Sequence, residues 1–273
     1  MRKKSSHIEK EPLRLLGELL AFSSAHLRHE IKDEKENLLK HILYLLFLFS
    51  KEQSEALEIL CKKSMTSPAV SQLRNFYEAY LYAHYLASRR PRKRLALYSI
   101  EMSRIQLKMI NTAKAIIIKY PHLKNRDAMT TETMLNSEGT KKEQEIKTAK
   151  KHYNLKNGDW LPSLETIAQL IDKGSTAKTK QGSSEQTYNL LYRYACTHVH
   201  PTPLALDRFL SSPKSEEGLN LSVLIITNAL LIDFLKLLQR HKILTKAVPS
   251  RFTRKLNSLQ KQHRILKTAK ANP

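Results

Sequence analysis

Arg193 and His200 stand seven positions apart in the stretch Tyr192-Arg193-Tyr194-Ala195-Cys196-Thr197-His198-Val199-His200-Pro201. On a helix that spacing turns through about 700°, some 20° short of two full turns, so the two side chains share a face roughly 10 Å apart along the axis. His198 is five positions from Arg193, about 140° away, and points elsewhere. Cys196 and Thr197 lie between the co-facial pair, and Pro201 leaves His200 at a helix end where the imidazole can turn toward a groove. An imidazole titrating near neutrality can take the proton of a ribose 2′-hydroxyl or deliver one to a leaving oxygen. A guanidinium can hold two phosphate oxygens and stabilise charge in the transition state. The pair therefore suits phosphodiester cleavage without a metal. The plainer alternative is a histidine capping its own helix end, with Arg193 in an ion pair. A metal held by His198 and His200 lacks a third nearby ligand, so neither a metal nor a cofactor is expected.

The elements that must position these groups are helices. The chain has 273 residues with only 6 Gly and 10 Pro, too few turn residues for a sandwich or barrel. No Gly-rich phosphate loop, zinc-type Cys/His spacing or nucleophile elbow occurs. Apolar residues make up 41%, enough for a core in a chain this long. The expected class is all-α: an antiparallel bundle of about six to eight helices, with a charged helical insertion and a basic C-terminal extension. Residues 1–245 read as one bundle domain carrying a charged arm at 122–157, and 246–273 read as the extension. Cys61 and Cys196 lie 135 positions apart with no disulfide framework, which suits the cytoplasm. Leu219 to Leu238 is long enough to span a membrane but carries Asn220, Asn228, Asp233 and Lys236, so no insertion is expected.

Leu13, Leu15, Leu16, Leu19 and Leu20 have helical spacing in a first helix starting near Pro12. A second runs from about Asn37 to Ser50, continuing to Lys63 after a bend. Thr66-Ser67-Pro68 has the form of a helix start, with a capping residue and a proline in the first turn, leading into Ala69 to Ala87. Pro91 to Tyr120 is the next helix. A helical pattern with a weak apolar face covers Thr130 to His152, Trp160 reads as a structural plug, and Leu164 to Asp172 is a short helix ending at Gly174. Ser183 with Gln186 forms a capping box for a helix reaching Val199. Leu219 to His241 is a core helix, and a basic helix follows Pro249.

Charge supplies a second line of reasoning. Lys and Arg number 47 against 25 Asp and Glu, a formal charge of +22. The excess is concentrated: Arg89, Arg90, Arg92, Lys93 and Arg94 sit at a helix junction, and from Phe234 to Pro273 eleven Lys and Arg occur without one acid. Clustered cations attract polyanions and release counterions on binding. Nucleic acid, RNA in particular, is the expected partner. The candidate contacts are those five residues with Arg251, Arg254 and Lys255.

Arg193-x₆-His200, or Arg193-x₄-His198, resembles the Arg-x₄₋₆-His signature of the HEPN superfamily. Leu73-Arg74-Asn75-Phe76-Tyr77-Glu78-Ala79 and Trp160 with Ser163 precede it in the same order as in a bacterial family of uncharacterised proteins placed near HEPN. The resemblance spans about residues 30 to 240. It implies an all-α bundle and a metal-independent ribonuclease of a toxin or antiviral system, with His200 and Arg193 catalytic. Tyr194 stands where HEPN nucleases often carry Asn, Asp or His. His198, Glu78, Arg74, Tyr194 and Thr197 are the candidate supporting residues: Glu78 would orient Arg193 or His200 if its helix packs against theirs. A homodimer would bring two such pairs together. A noncatalytic nucleic-acid binder or scaffold remains the alternative.

Overall fold

The structure is a computed structural model that describes residues 7–28, 38–88, 90–120, 128–156, 158–174, 188–189 and 213–271. Its regular structure among these residues is helical apart from one isolated antiparallel bridge, Leu27 to Leu244. The helices are α1 (His7–His26), α2 (Leu38–Lys62), α3 (Thr66–Ala87), α4 (Pro91–Lys119), α5 (Ala128–His152), α6 (Leu164–Gly174), α7 (Pro213–Arg240) and α8 (Ser250–Ala271). The protein is an all-α helical bundle.

Contacts divide the chain into two compact units, one of residues 1–87 with 164–273 and one of residues 88–163. In the first, α3 is central: α2, α6 and α7 all pack on it, and its Leu73, Phe76, Tyr77, Ala79, Leu81 and Leu86 are buried on several sides. A helix apolar nearly all round has to be enclosed in this way. Phe47 of α2 meets Phe234 of α7 edge to face, ring centres 5.3 Å apart. α1 and α8 close the other side of α7, where Phe22 and Phe252 meet at 5.6 Å. Backbone bonds from Arg28 N to Ile243 O (3.1 Å) and from Thr245 N to His26 O (2.9 Å) tie the end of α1 to the α7–α8 connection.

Several helix boundaries differ from expectation. α1 starts at His7 with Pro12 inside it. A proline this near the start removes one early intrahelical bond, while its own carbonyl accepts a bond from Asn228 Nδ2 (3.0 Å) on α7. α2 runs unbroken through the expected bend; its buried Ser50 and Ser54 satisfy their hydroxyls within the helix, on Leu46 O and Ser50 O, both at 2.8 Å. Thr66 lies within α3 rather than capping it: Ala69 N bonds back to Met65 O at 3.2 Å, and the Thr66 hydroxyl is buried. One helix among the described residues, Leu219–Arg240, is long and apolar enough to cross a membrane, and most of that stretch is buried inside the protein.

The second unit is a helical hairpin of α4 and α5 with the segment that follows. Ser103 Oγ donates to Glu145 Oε2 at 3.3 Å, and the buried Gly139 lies against Leu107, Ile110 and Lys114. These pairings set the two helices antiparallel, with 103 opposite 145. α5 covers most of the segment read as a charged arm, and α8, read as an extension, packs on α1 and α7.

Candidate functional site

Arg193 and His200 lie outside the described residues, as do His198, Tyr194, Thr197 and Arg89. The other candidates can be placed. Arg74 and Glu78 sit one turn apart on α3, both partly buried, next to the enclosed Tyr77. Burial lifts the Glu78 carboxyl above its ordinary value, and the field of Arg74 opposes the rise. Burial pushes the Tyr77 phenol upward too, with the charges of Asp172 on α6 and of Tyr188 adding to the shift. Tyr188, which opens the segment leading to Arg193, is therefore within electrostatic reach of this part of α3.

One turn further along α3 is a polar cluster that the sequence reading missed. Tyr80 Oη donates to Asp233 Oδ2 of α7 at 2.8 Å, and His84 Nε2 lies 3.1 Å from the same oxygen. The Tyr80 and His84 rings are 4.3 Å apart. Burial by itself would raise the Asp233 carboxyl. The adjacent His84 imidazole, the bond from Tyr80 and the field of Arg240 outweigh it and hold Asp233 below the usual carboxylate value. Burial, then the Asp233 carboxylate, pushes Tyr80 far above the normal phenol value. At neutral pH the cluster is thus an ionised carboxylate that accepts a bond from a neutral phenol, with the His84 ring beside it. It locks α3 to α7 and keeps one negative charge at an edge where the Asp233 side chain is 47% exposed. The signal that could have found it is Asp233 itself, the only acid between Leu219 and Arg240. A lone carboxylate in a core helix needs partners.

The basic candidates fall on both units. In the hairpin unit, Arg90 adopts a left-handed backbone (φ 60°) that turns the chain into Pro91 at the start of α4. Arg90 and Arg92 are exposed, Arg94 is half-buried, and Lys93 pairs with Asp159 at 3.2 Å. Bonds from Lys156 N and Lys93 hold the Asp159 carboxyl below its ordinary value. On α8, Arg251 and Arg254 are exposed, with the Arg251 guanidinium 5.3 Å from the Phe252 ring. Lys255 has a structural partner: its Nζ is 2.7 Å from each carboxylate oxygen of Glu18, fastening α8 to α1.

Trp160 is not a plug. It is 58% exposed, with the Arg104 guanidinium 3.8 Å above its ring. The tyrosines divide: Tyr77, Tyr80 and Tyr85 are core, while Tyr82 and Tyr98 are half-buried. Among the described residues, no three His, Cys, Asp or Glu side chains converge as a metal site.

No curated protein and no solved structure matches the chain. A family described only as of unknown function, DUF5677, matches residues 40–218, which run from α2 through the whole hairpin unit and the Arg193–His200 stretch to the first turns of α7. With well over half of its length matched, the chain belongs to the DUF5677 family.

Proposed function

We propose that the protein is a HEPN-like, RNA-binding bundle of the cytoplasm that cleaves RNA without a metal, in the setting of a toxin or an antiviral defence. The observation that carries this reading is the seven-residue spacing of Arg193 and His200 in a strongly cationic, all-α chain. One feature supports it: Tyr188, which precedes that segment, is within electrostatic reach of the buried Tyr77 on α3, the helix that also carries Arg74 and Glu78.

In this mechanism His200 takes the proton of the ribose 2′-hydroxyl, and the freed oxygen attacks phosphorus. Arg193 binds the nonbridging oxygens and stabilises the added charge. The bond from phosphorus to the 5′ oxygen breaks, and that oxygen takes a proton from His200 of a second copy in a homodimer. The products are a 2′,3′-cyclic phosphate and a 5′-hydroxyl. Exposed Arg90 and Arg92 in the hairpin unit, and separately Arg251 and Arg254 in the larger unit, offer cations to RNA phosphates.

Purified protein incubated with total RNA in EDTA tests the reading. Cleavage that survives EDTA, leaves cyclic-phosphate ends and falls by about 10²- to 10⁴-fold in Arg193→Ala and His200→Ala supports it. Intact RNA, with salt-sensitive gel shifts persisting in both variants, replaces it by a noncatalytic binder. The exposure of the four arginines by itself favours that second reading.

A further inference from the structure

The hairpin unit concentrates charge: residues 88–163 hold 17 Lys and Arg against 7 Asp and Glu. One of these cations, Arg104 in the middle of α4, lies against the aromatic ring of Trp160. Arg104 covers one face of Trp160 at 3.8 Å, and Glu101 steadies that guanidinium at 3.3 Å. With one face covered, the 58% exposure of Trp160 falls on the other face and the ring edges. Asp159, the carboxylate next to the ring, is neutralised by Lys93 and fixed by Lys156 N at 2.9 Å, so the ring sits on a pinned turn. Beyond Arg104 a shallow, open and mostly apolar hollow lies on α4, lined by Leu107, Lys108, Asn111, Thr112 and Ala115.

Trp160 is a large aromatic side chain left mostly in water, and the contact on its ring is a guanidinium. An aromatic face accepts any nucleobase, and flanking cations take the phosphates. A guanidinium on the far face adds cation–π attraction that holds the platform flat. We infer that Trp160, backed by Arg104, is a base-stacking platform for single-stranded RNA, with the exposed Lys108, one turn beyond Arg104 on α4, available to the strand's phosphates. The inference rests on the RNA-binding reading and deepens it: it names unpaired RNA as the ligand form and separates strand capture on the hairpin from the Arg193–His200 segment. Duplex RNA, whose bases are already stacked on each other, gains nothing from this ring.

Trp160 is the only tryptophan in the chain, so its emission reports the site directly. The full-length protein is titrated with a 2′-O-methyl oligoadenylate 12-mer, which lacks the attacking hydroxyl and survives any nuclease activity, and with a duplex of the same length. Gel shifts are run in parallel. The expected result is quenching of Trp160 that saturates together with the gel shift for the single strand, without quenching by the duplex. Trp160→Ala then binds the single strand about 5- to 100-fold more weakly, and Trp160→Phe restores most of the affinity. A gel shift with unchanged emission and undiminished binding by Trp160→Ala overturns the platform and leaves RNA binding elsewhere intact. No shift of either RNA at low salt overturns both the platform and the RNA-binding reading.

Discussion

In the larger unit α3 and α7 meet through buried rings and a shared carboxylate, whereas in the hairpin α4 and α5 meet where Gly139 lies against Leu107 and Ile110 and through a serine–glutamate bond. The apolar positions follow the same division. Phe47, Phe76, Tyr77 and Phe234 are fully enclosed in the first, though its Leu45, Phe49 and Ile59 are exposed; the second buries Leu95, Leu97 and Ile100 near the start of α4 and leaves Ile105, Met109, Ile116, Ile118 and Met134 facing water. Hydrophobic burial supplies most folding free energy, and surface ion pairs supply little. The bundle is thus built to persist, and the hairpin to present charge. Regions with few buried contacts open first, so hydrogen exchange is expected to be faster along α4 and α5 than along α3 and α7.

The largest expected contrast is in side-chain truncation. Phe234→Ala should lower unfolding free energy by about 3–5 kcal/mol, as read by denaturant titration, while Met109→Ala, at a position 66% exposed, should change it by no more than about 0.5 kcal/mol. Equal losses would mean that α4 has a partner burying Met109. Next is the α3–α7 lock. Asp233→Ala leaves the buried Tyr80 hydroxyl without its acceptor and should cost about 1–3 kcal/mol. The accompanying pH dependence follows from the sign of the shift. Because the Asp233 carboxyl is depressed in the folded state, its contribution is present above the unfolded carboxylate value and is lost as pH falls through the folded one. The variant and the parent should therefore converge in stability in acid.

Gly139→Ala sharpens the comparison from the hairpin side. The added Cβ would come 3.2 Å from Lys114 Nζ, the far end of a flexible chain that can move aside. Removing a mid-helix glycine should then stabilise α5 by up to about 1 kcal/mol. A loss of stability would show that the α4–α5 contact is as tightly packed as the bundle core. The smallest effect is at Glu78. Its raised carboxyl costs stability once pH exceeds the unfolded value, so Glu78→Gln should gain a few tenths of a kcal/mol at pH 7 after allowing for solvent screening. That gain should vanish as pH drops below about 4, where both forms are neutral.

Much of this architecture is written in local pattern. The leucines of α1, the Pro91 start and Tyr120 end of α4, the short α6 and the basic helix after Pro249 follow from periodicity and helix punctuation, which act over a few residues. Pairings across the fold are not local. Nothing near Lys255 in the sequence points to Glu18, 237 positions away, and nothing near His84 points to Asp233. Trp160 shows the same limit from the other direction. A lone tryptophan usually fills a core, and its exposure depends on Arg104, which reaches it from a different segment. For the proposed nuclease pair, spacing on one helix is legible in the sequence, while the groove it would open onto depends on packing.

The larger unit is interrupted in sequence, with its first 87 residues and its last 110 flanking the hairpin. α1 packs chiefly on α7, so on the ribosome Leu15, Leu16 and Leu19 emerge long before the surface that will cover them. At translation speeds of about 5–20 residues per second, that delay lasts roughly 10–40 s. During this interval the nascent chain exposes a leucine-rich helix to any chaperone or neighbouring chain, and the bundle cannot close until α7 has been made.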